Sequence, residues 1–216
     1  MSGGTGAESR MRKETGLIMS TPMMIADLKK IKKQTRRTWG LSDINIHPDD
    51  WQLVAVFQDG LARFYNKTID VERTIQCPYG GVGDKLVLKE TWFADKQYDN
   101  LKPSLIPTCS LIGYIATDIK PDWGGKTRTS MFMPKWASRR SHILTNIRCE
   151  RVQAITKEDV IKEGTPIVAW NEGSGIVIPI SPNYKMSYAL LWDKLNAKRG
   201  YPWSKNVWVF VLEWKE

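Results

Sequence analysis

Two short stretches concentrate side chains suited to chemistry on a polyanion. One is the cationic run KKIKKQTRR over residues 29–37, and the other is MPKWASRRS over 133–141. The second places an indole, two guanidiniums, a lysine and hydroxyls in loop-like sequence. There Trp136 can stack on a base while Arg139 or Arg140 neutralises a phosphate. In the first, Lys33, Arg36 and Arg37 offer further cations to a nucleic acid or nucleoside. Each stretch also has a plainer reading. The basic run suits a solvated helix end, where cations meet the negative pole of the helix dipole. The tryptophan suits packing beneath a loop, with its arginines in solvent.

The whole chain leans the same way as these stretches. It has 216 residues, a net charge of +9, a pI near 9.4 and 10 tryptophans. That balance favours polyanionic partners, RNA among them, without specifying a reaction. Several enzyme classes drop out. His47 and His142 are the only histidines, and neither an H-x-E nor a P-C-x-x-C is present for zinc deamination. No G-x-S-x-G elbow supports serine hydrolysis, and both histidines read as structural or surface residues. Cys77, Cys109 and Cys149 are odd in number, widely spaced and form no C-x-x-C, which suits a reducing cytoplasm. No cofactor or metal site is expected. The glycine-rich CPYGGVGD (77–84) leads into a strand-like run and lacks a following Lys-Ser/Thr, so it reads as a tight turn presenting Asp84, not a phosphate loop. No apolar run approaches a membrane span of about 18 residues.

The elements that must position these residues are mostly strands. Residues 1–16 are Gly/Ser-rich and charged, and read as a disordered leader. Thr21 is expected to cap a helix with Pro22 at its first position, and Met24, Leu28 and Ile31 form its apolar stripe. The basic run continues from the end of that helix. WQLVAVFQDGLARFYN (51–66) alternates around Asp59-Gly60 as a hairpin does. Further strands are expected at 85–92, 110–118 and 142–155. NVWVFVLEW (206–214) is apolar on both faces, the mark of a central strand. TKEDVIKEG (156–164) begins like a capping box, with Thr156 and Asp159, and Gly164 can end it. SYALLWDKLNAKRG (187–200) is a second short helix with Leu190, Leu191 and Leu195 inward. Insertions are expected near 93–130 and 165–183. Many strands with few short helices imply an α+β chain built as a small mixed β-barrel.

Five blocks together resemble the ASCH-domain family, in the longer form common in bacteriophages and prophages. They are KKQTRR (32–37), CPYGGVGDKLVLKETW (77–92), MPKWASRR (133–140), ITKEDVIKEG (155–164) and LLWDKLNAKRGYPW…NVWVFVLEW (190–214). The first three are similar to the family's K-T-Q-T-R-R, C-P-Y-G-x-x-G-D-x-L-W-V-R-E-T-W and M-P-R-W-A-S-R, and the order is kept. The resemblance implies a PUA-like β-barrel with short flanking helices over residues 17–216. It also implies a cleft that binds RNA or a modified nucleoside, in a bacterial or phage-infected cytoplasm; with no apolar run long enough to span a bilayer, no membrane partner is expected. The phage form usually reads G-R-K-T-Q-T-R-R, so Lys30 stands in place of a glycine and Lys33 in place of a threonine.

Some small ASCH proteins hydrolyse the acetyl amide of N4-acetylcytidine. They carry Lys-x-x-Thr-x-Arg, a pattern matched by Lys32, Thr35 and Arg37, and a glutamate at a short-helix end, matched by Glu163. Carried over, Thr35 becomes the nucleophile, Lys32 its base, and Glu163 the group that orients the lysine or moves a proton. The crowd of cations around Lys32 pushes its pKa down, as a base near neutrality requires. The rival reading is a non-catalytic RNA-binding or phage accessory module using the same cations.

Overall fold

In the computed structural model, residues 12–167 and 183–215 are described. The core is a five-stranded sheet that uses chain segments from both ends. Its strands are β1 (Glu14–Ile18), β2 (Gln34–Arg37), β6 (Lys85–Lys89), β9 (Ser141–Arg151) and β10 (Trp208–Trp214). Their order is β1-β6-β9-β10-β2, with β1 parallel to β6 and the other pairs antiparallel. β10 is interior and apolar on both faces because it separates two cores. Val207, Val209 and Val211 belong with Val152, Val160, Tyr188 and Trp192. Trp208, Phe210 and Leu212 belong with Leu17, Phe64, Leu86 and Leu144. Each fully buried side chain of this size stabilises the fold by roughly 1.5–3 kcal/mol.

β3 (Trp51–Val56), β4 (Leu61–Asn66) and β5 (Val71–Gln76) form a separate antiparallel sheet. Its first turn closes at Gly60, whose φ of 90° is the left-handed conformation expected of Asp-Gly. β7 (Trp92–Ala94) and β8 (Ile112–Tyr114) make a two-stranded ribbon. The ribbon, which overlaps the expected 93–130 insertion, gathers a small core of its own around Trp92, Ile106, Met133 and Ala137. The helices are α1 (Thr21–Leu28), α2 (Lys157–Lys162) and α3 (Tyr184–Asn196).

The architecture is mixed α+β, and among the described residues the ladders do not close a barrel. β1 and β2 are the two edges of the main sheet. They are linked instead by a side chain, since Arg37 Nη2 donates to the Ile18 carbonyl at 2.7 Å.

Several expectations need correction. Ordered chain begins inside the expected leader, because β1 starts at Glu14 and pairs with β6; residues 1–11 lie outside the described residues. Ser20, not Thr21, is the N-cap of α1. The basic run does not extend the helix: Gln34–Arg37 is an edge strand bonded to β10. The 110–118 strand shrinks to Ile112–Tyr114. β5, most of it exposed, lacked the apolar alternation that would have marked it. On α3, Leu190 and Leu195 are exposed, and the inward positions are Ser187, Tyr188, Ala189 and Trp192. Most of the expected 165–183 insertion lies outside the described residues.

Candidate functional site

α1 ends where Lys30 adopts φ = 62°, so that Ile31 and Lys32 both donate their backbone N–H to the Ala26 carbonyl, at 2.9 and 3.1 Å. That left-handed turn redirects the chain, and Lys33 N then donates to the Lys162 carbonyl at 2.7 Å, docking the approach to β2 on the end of α2. α2 starts with a complete capping box between Thr156 and Asp159 and ends on Glu163 as its C-cap. Gly164 follows with φ = 71°, and a Cβ there would lie 2.7 Å from Ala26 Cβ and 3.2 Å from Lys32 Cβ. Only glycine lets α2, α1 and Lys32 meet this closely.

The result is a buried ion pair. Lys32 Nζ donates to Glu163 Oε2 at 3.0 Å and to the Glu163 carbonyl at 2.8 Å. The other carboxylate oxygen, Oε1, accepts from Arg36 Nη1 at 3.0 Å. Arg36 also donates through Nη2 to Glu150 at 2.6 Å and to Asp159 at 2.8 Å, and lies 5.8 Å from the centre of the Tyr188 ring. Burial drives the Lys32 pKa down, and the attraction of Glu163 opposes that only in part. Burial also works against the charge on Arg36, but Glu163, Tyr188 and Glu150 outweigh it and hold the guanidinium protonated. Burial would raise the Asp159 carboxyl, but Arg36 and Arg148 bring it below its ordinary value.

Lys32, Thr35, Arg36, Arg37 and Glu163 all line one cleft of about 1020 Å3, bounded by β1, α1, β2 and α3. A cleft this large can take a nucleotide-sized ligand. Neighbouring side chains alternate along a strand, so Thr35 and Arg36 leave β2 on opposite faces. They share the cleft because β2 is an edge strand. Thr35 is buried, and its hydroxyl is hydrogen-bonded to neither Lys32 nor Glu163.

Lys33 is exposed and lies outside the lining. Trp136, Arg139 and Arg140 are also not brought to the cleft. Trp136 is half-buried against the small core around Trp92. Arg139 forks Glu90 with bonds of 2.9 and 3.0 Å and sits 4.1 Å from the centre of the Tyr114 ring. Arg140 Nε pairs with Asp27 at 3.0 Å, and that carboxylate also holds His142 at 2.7 Å. His142 stacks on Trp214 and is structural, while His47 is exposed. Among the described residues no cluster of His, Cys, Asp or Glu is placed to hold a metal ion, and no helix is long and apolar enough to cross a membrane.

Sequence reasoning passed over Trp39, Tyr79, Lys89, Tyr188 and Arg199, all of which line the cleft. All five sit within or beside one of the quoted blocks, but nothing local shows that those blocks converge on one cleft. No protein-family model, curated protein or solved structure matches the chain.

Proposed function

We propose that the cleft binds RNA or a modified nucleoside and hydrolyses the amide of an acylated pyrimidine nucleoside such as N4-acetylcytidine. The reading is that of an ASCH-type, PUA-like protein of the bacterial or phage-infected cytoplasm. The observation that carries it is the buried Lys32–Glu163 pair lining one cleft with Thr35. In this reading the neutral Lys32 amine takes the proton of the Thr35 hydroxyl as its oxygen attacks the acetyl carbonyl. The resulting lysinium returns that proton to the departing exocyclic amine as the C–N bond breaks. Water then hydrolyses the threonyl ester by the same base, releasing acetate. Glu163 orients Lys32, and Arg36 fixes Glu163. The desolvated lysine suits this task because its pKa is lowered toward the working range.

The missing bond between Thr35 and Lys32 favours the second reading, a binding module without turnover. Catalytic hydrogen bonds commonly tighten only when substrate is bound, so the first reading stands ahead of it. Incubation of purified protein with N4-acetylcytidine, followed by liquid chromatography for cytidine, tests the choice. Cytidine formation supports hydrolysis; an inert protein that still binds nucleoside or RNA supports the module.

A further inference from the structure

The charges around the cleft do not balance. Among the described residues its lining holds five cationic side chains, Lys32, Arg36, Arg37, Lys89 and Arg199, against a single carboxylate, Glu163. Glu163 is already shared between Lys32 and Arg36. The other three cations have no carboxylate partner among the described residues. Arg37 spends Nη2 on the Ile18 carbonyl, while its buried Nε has no hydrogen-bond partner. The stem of Lys89 crosses β1 at Gly16, where an added Cβ would come within 2.7 Å of its Cε. At the mouth stands Trp39, 58% exposed, held edge-on by Tyr79 at 5.3 Å. An exposed indole beside cations that no described carboxylate neutralises is an arrangement suited to binding a base together with a phosphate.

From this we infer that the ligand of the cleft is a phosphorylated nucleotide, not a bare nucleoside, with Trp39 under a base and Lys89, Arg199 and Arg37 facing phosphate. The inference rests on the reading above only in taking the cleft as the ligand site. It deepens that reading by making the substrate anionic, either a free mononucleotide or a nucleotide within an RNA strand.

Titration calorimetry on the full chain with cytidine, cytidine 5′-monophosphate and a short oligocytidylate tests this. A charge-assisted contact to phosphate makes the monophosphate bind about tenfold or more tightly than cytidine at low salt. That advantage shrinks as salt is raised. Lys89→Ala and Arg199→Ala each weaken the monophosphate more than cytidine and so remove part of it. Trp39→Ala weakens the monophosphate and cytidine alike, by about 5- to 100-fold. Tighter binding of the oligomer than of the monophosphate identifies the strand as the source, and equal binding identifies the free nucleotide. Equal affinity for cytidine and its monophosphate overturns the inference, as does phosphate preference that survives both Lys89→Ala and Arg199→Ala, or no binding of the monophosphate. The two proposals fail separately. Turnover of N4-acetylcytidine without phosphate discrimination leaves the hydrolase and removes the anionic substrate; phosphate preference without turnover does the reverse.

Discussion

The Lys32 ammonium donates to both the side chain and the main-chain carbonyl of Glu163, a residue 131 positions away, at 3.0 and 2.8 Å. Two oxygens of one residue therefore hold the lysine, and they can do so because Glu163 is the C-cap of α2, where a carbonyl is left without a helical partner. The pair joins the approach to β2 to the end of α2.

The Lys32 pKa sets the pH dependence. Burial lowers it from 10.5, and only the neutral amine can act as base. In the proposed hydrolysis, turnover therefore rises with pH through that lowered value and then levels off. Stability moves in the same direction. Between the folded pKa and 10.5 the unfolded chain binds the extra proton, so stability increases with pH across that window. A kcat profile from about pH 6 to 10, with thermal melts at the same points, checks both; a profile falling with pH contradicts the base assignment.

Lys30 holds a conformation that L-residues disfavour, with φ = 62°. Lys30→Gly relieves it and stabilises the fold by about 1 kcal/mol, raising the melting temperature by roughly 2–4 °C. Gly164→Ala does the opposite. Its added methyl meets Ala26 and Lys32 at a φ of 71°, and the cost exceeds about 1 kcal/mol. Differential scanning calorimetry of the two variants distinguishes the signs.

Arg36 is fully buried and serves Glu150, Asp159 and Glu163 at once. Arg36→Met leaves those carboxylates facing each other and destabilises the fold by about 3–5 kcal/mol. Arg36→Lys recovers only part, because an ammonium cannot reproduce the planar fork. Urea unfolding measures both. Asp159 adds an acid limit: its carboxyl is held below 3.8, so its contribution is complete above that value and is lost as pH falls through the lowered one.

The stacking role expected of Trp136 falls instead to Trp39, which lines the cleft. Trp136 packs against the core around Trp92, so Trp136→Ala costs stability by about 1–3 kcal/mol and leaves RNA binding unchanged. Trp39→Ala leaves the melting temperature nearly unchanged and weakens binding. Melting curves and RNA titrations on the two variants check this, and loss of binding in Trp136→Ala alone would return the interface to the 133–141 loop.

The elements legible in the sequence were those with a complete local signature. β10 showed two apolar faces, the Asp59-Gly60 hairpin showed its turn, and α2 showed its capping box. β2 was hidden because four charged or polar residues following a helix look like its frayed end. Nothing local says that Lys30 turns left-handed or that β10 waits to pair with Gln34–Arg37. Arg139 and Arg140 looked available for phosphate because their partners, Glu90 and Asp27, are 49 and 113 residues away. Charge is visible in a sequence; whether a charge is already neutralised is a tertiary fact.

The central claim is that Lys32, Thr35 and Glu163 act together on an acyl amide, and the direct measurement is turnover of N4-acetylcytidine by wild type, Lys32→Arg, Thr35→Val and Glu163→Gln. Thr35→Val removes the proposed nucleophile, Lys32→Arg gives a cation that cannot accept a proton, and Glu163→Gln removes the carboxylate that holds the lysine. The account predicts that wild type releases cytidine and that each variant, shown folded by its circular dichroism, is slower by about 10²–10⁴-fold with nucleoside binding kept. A wild-type protein that releases no cytidine, or three variants that keep the wild-type rate, would contradict it.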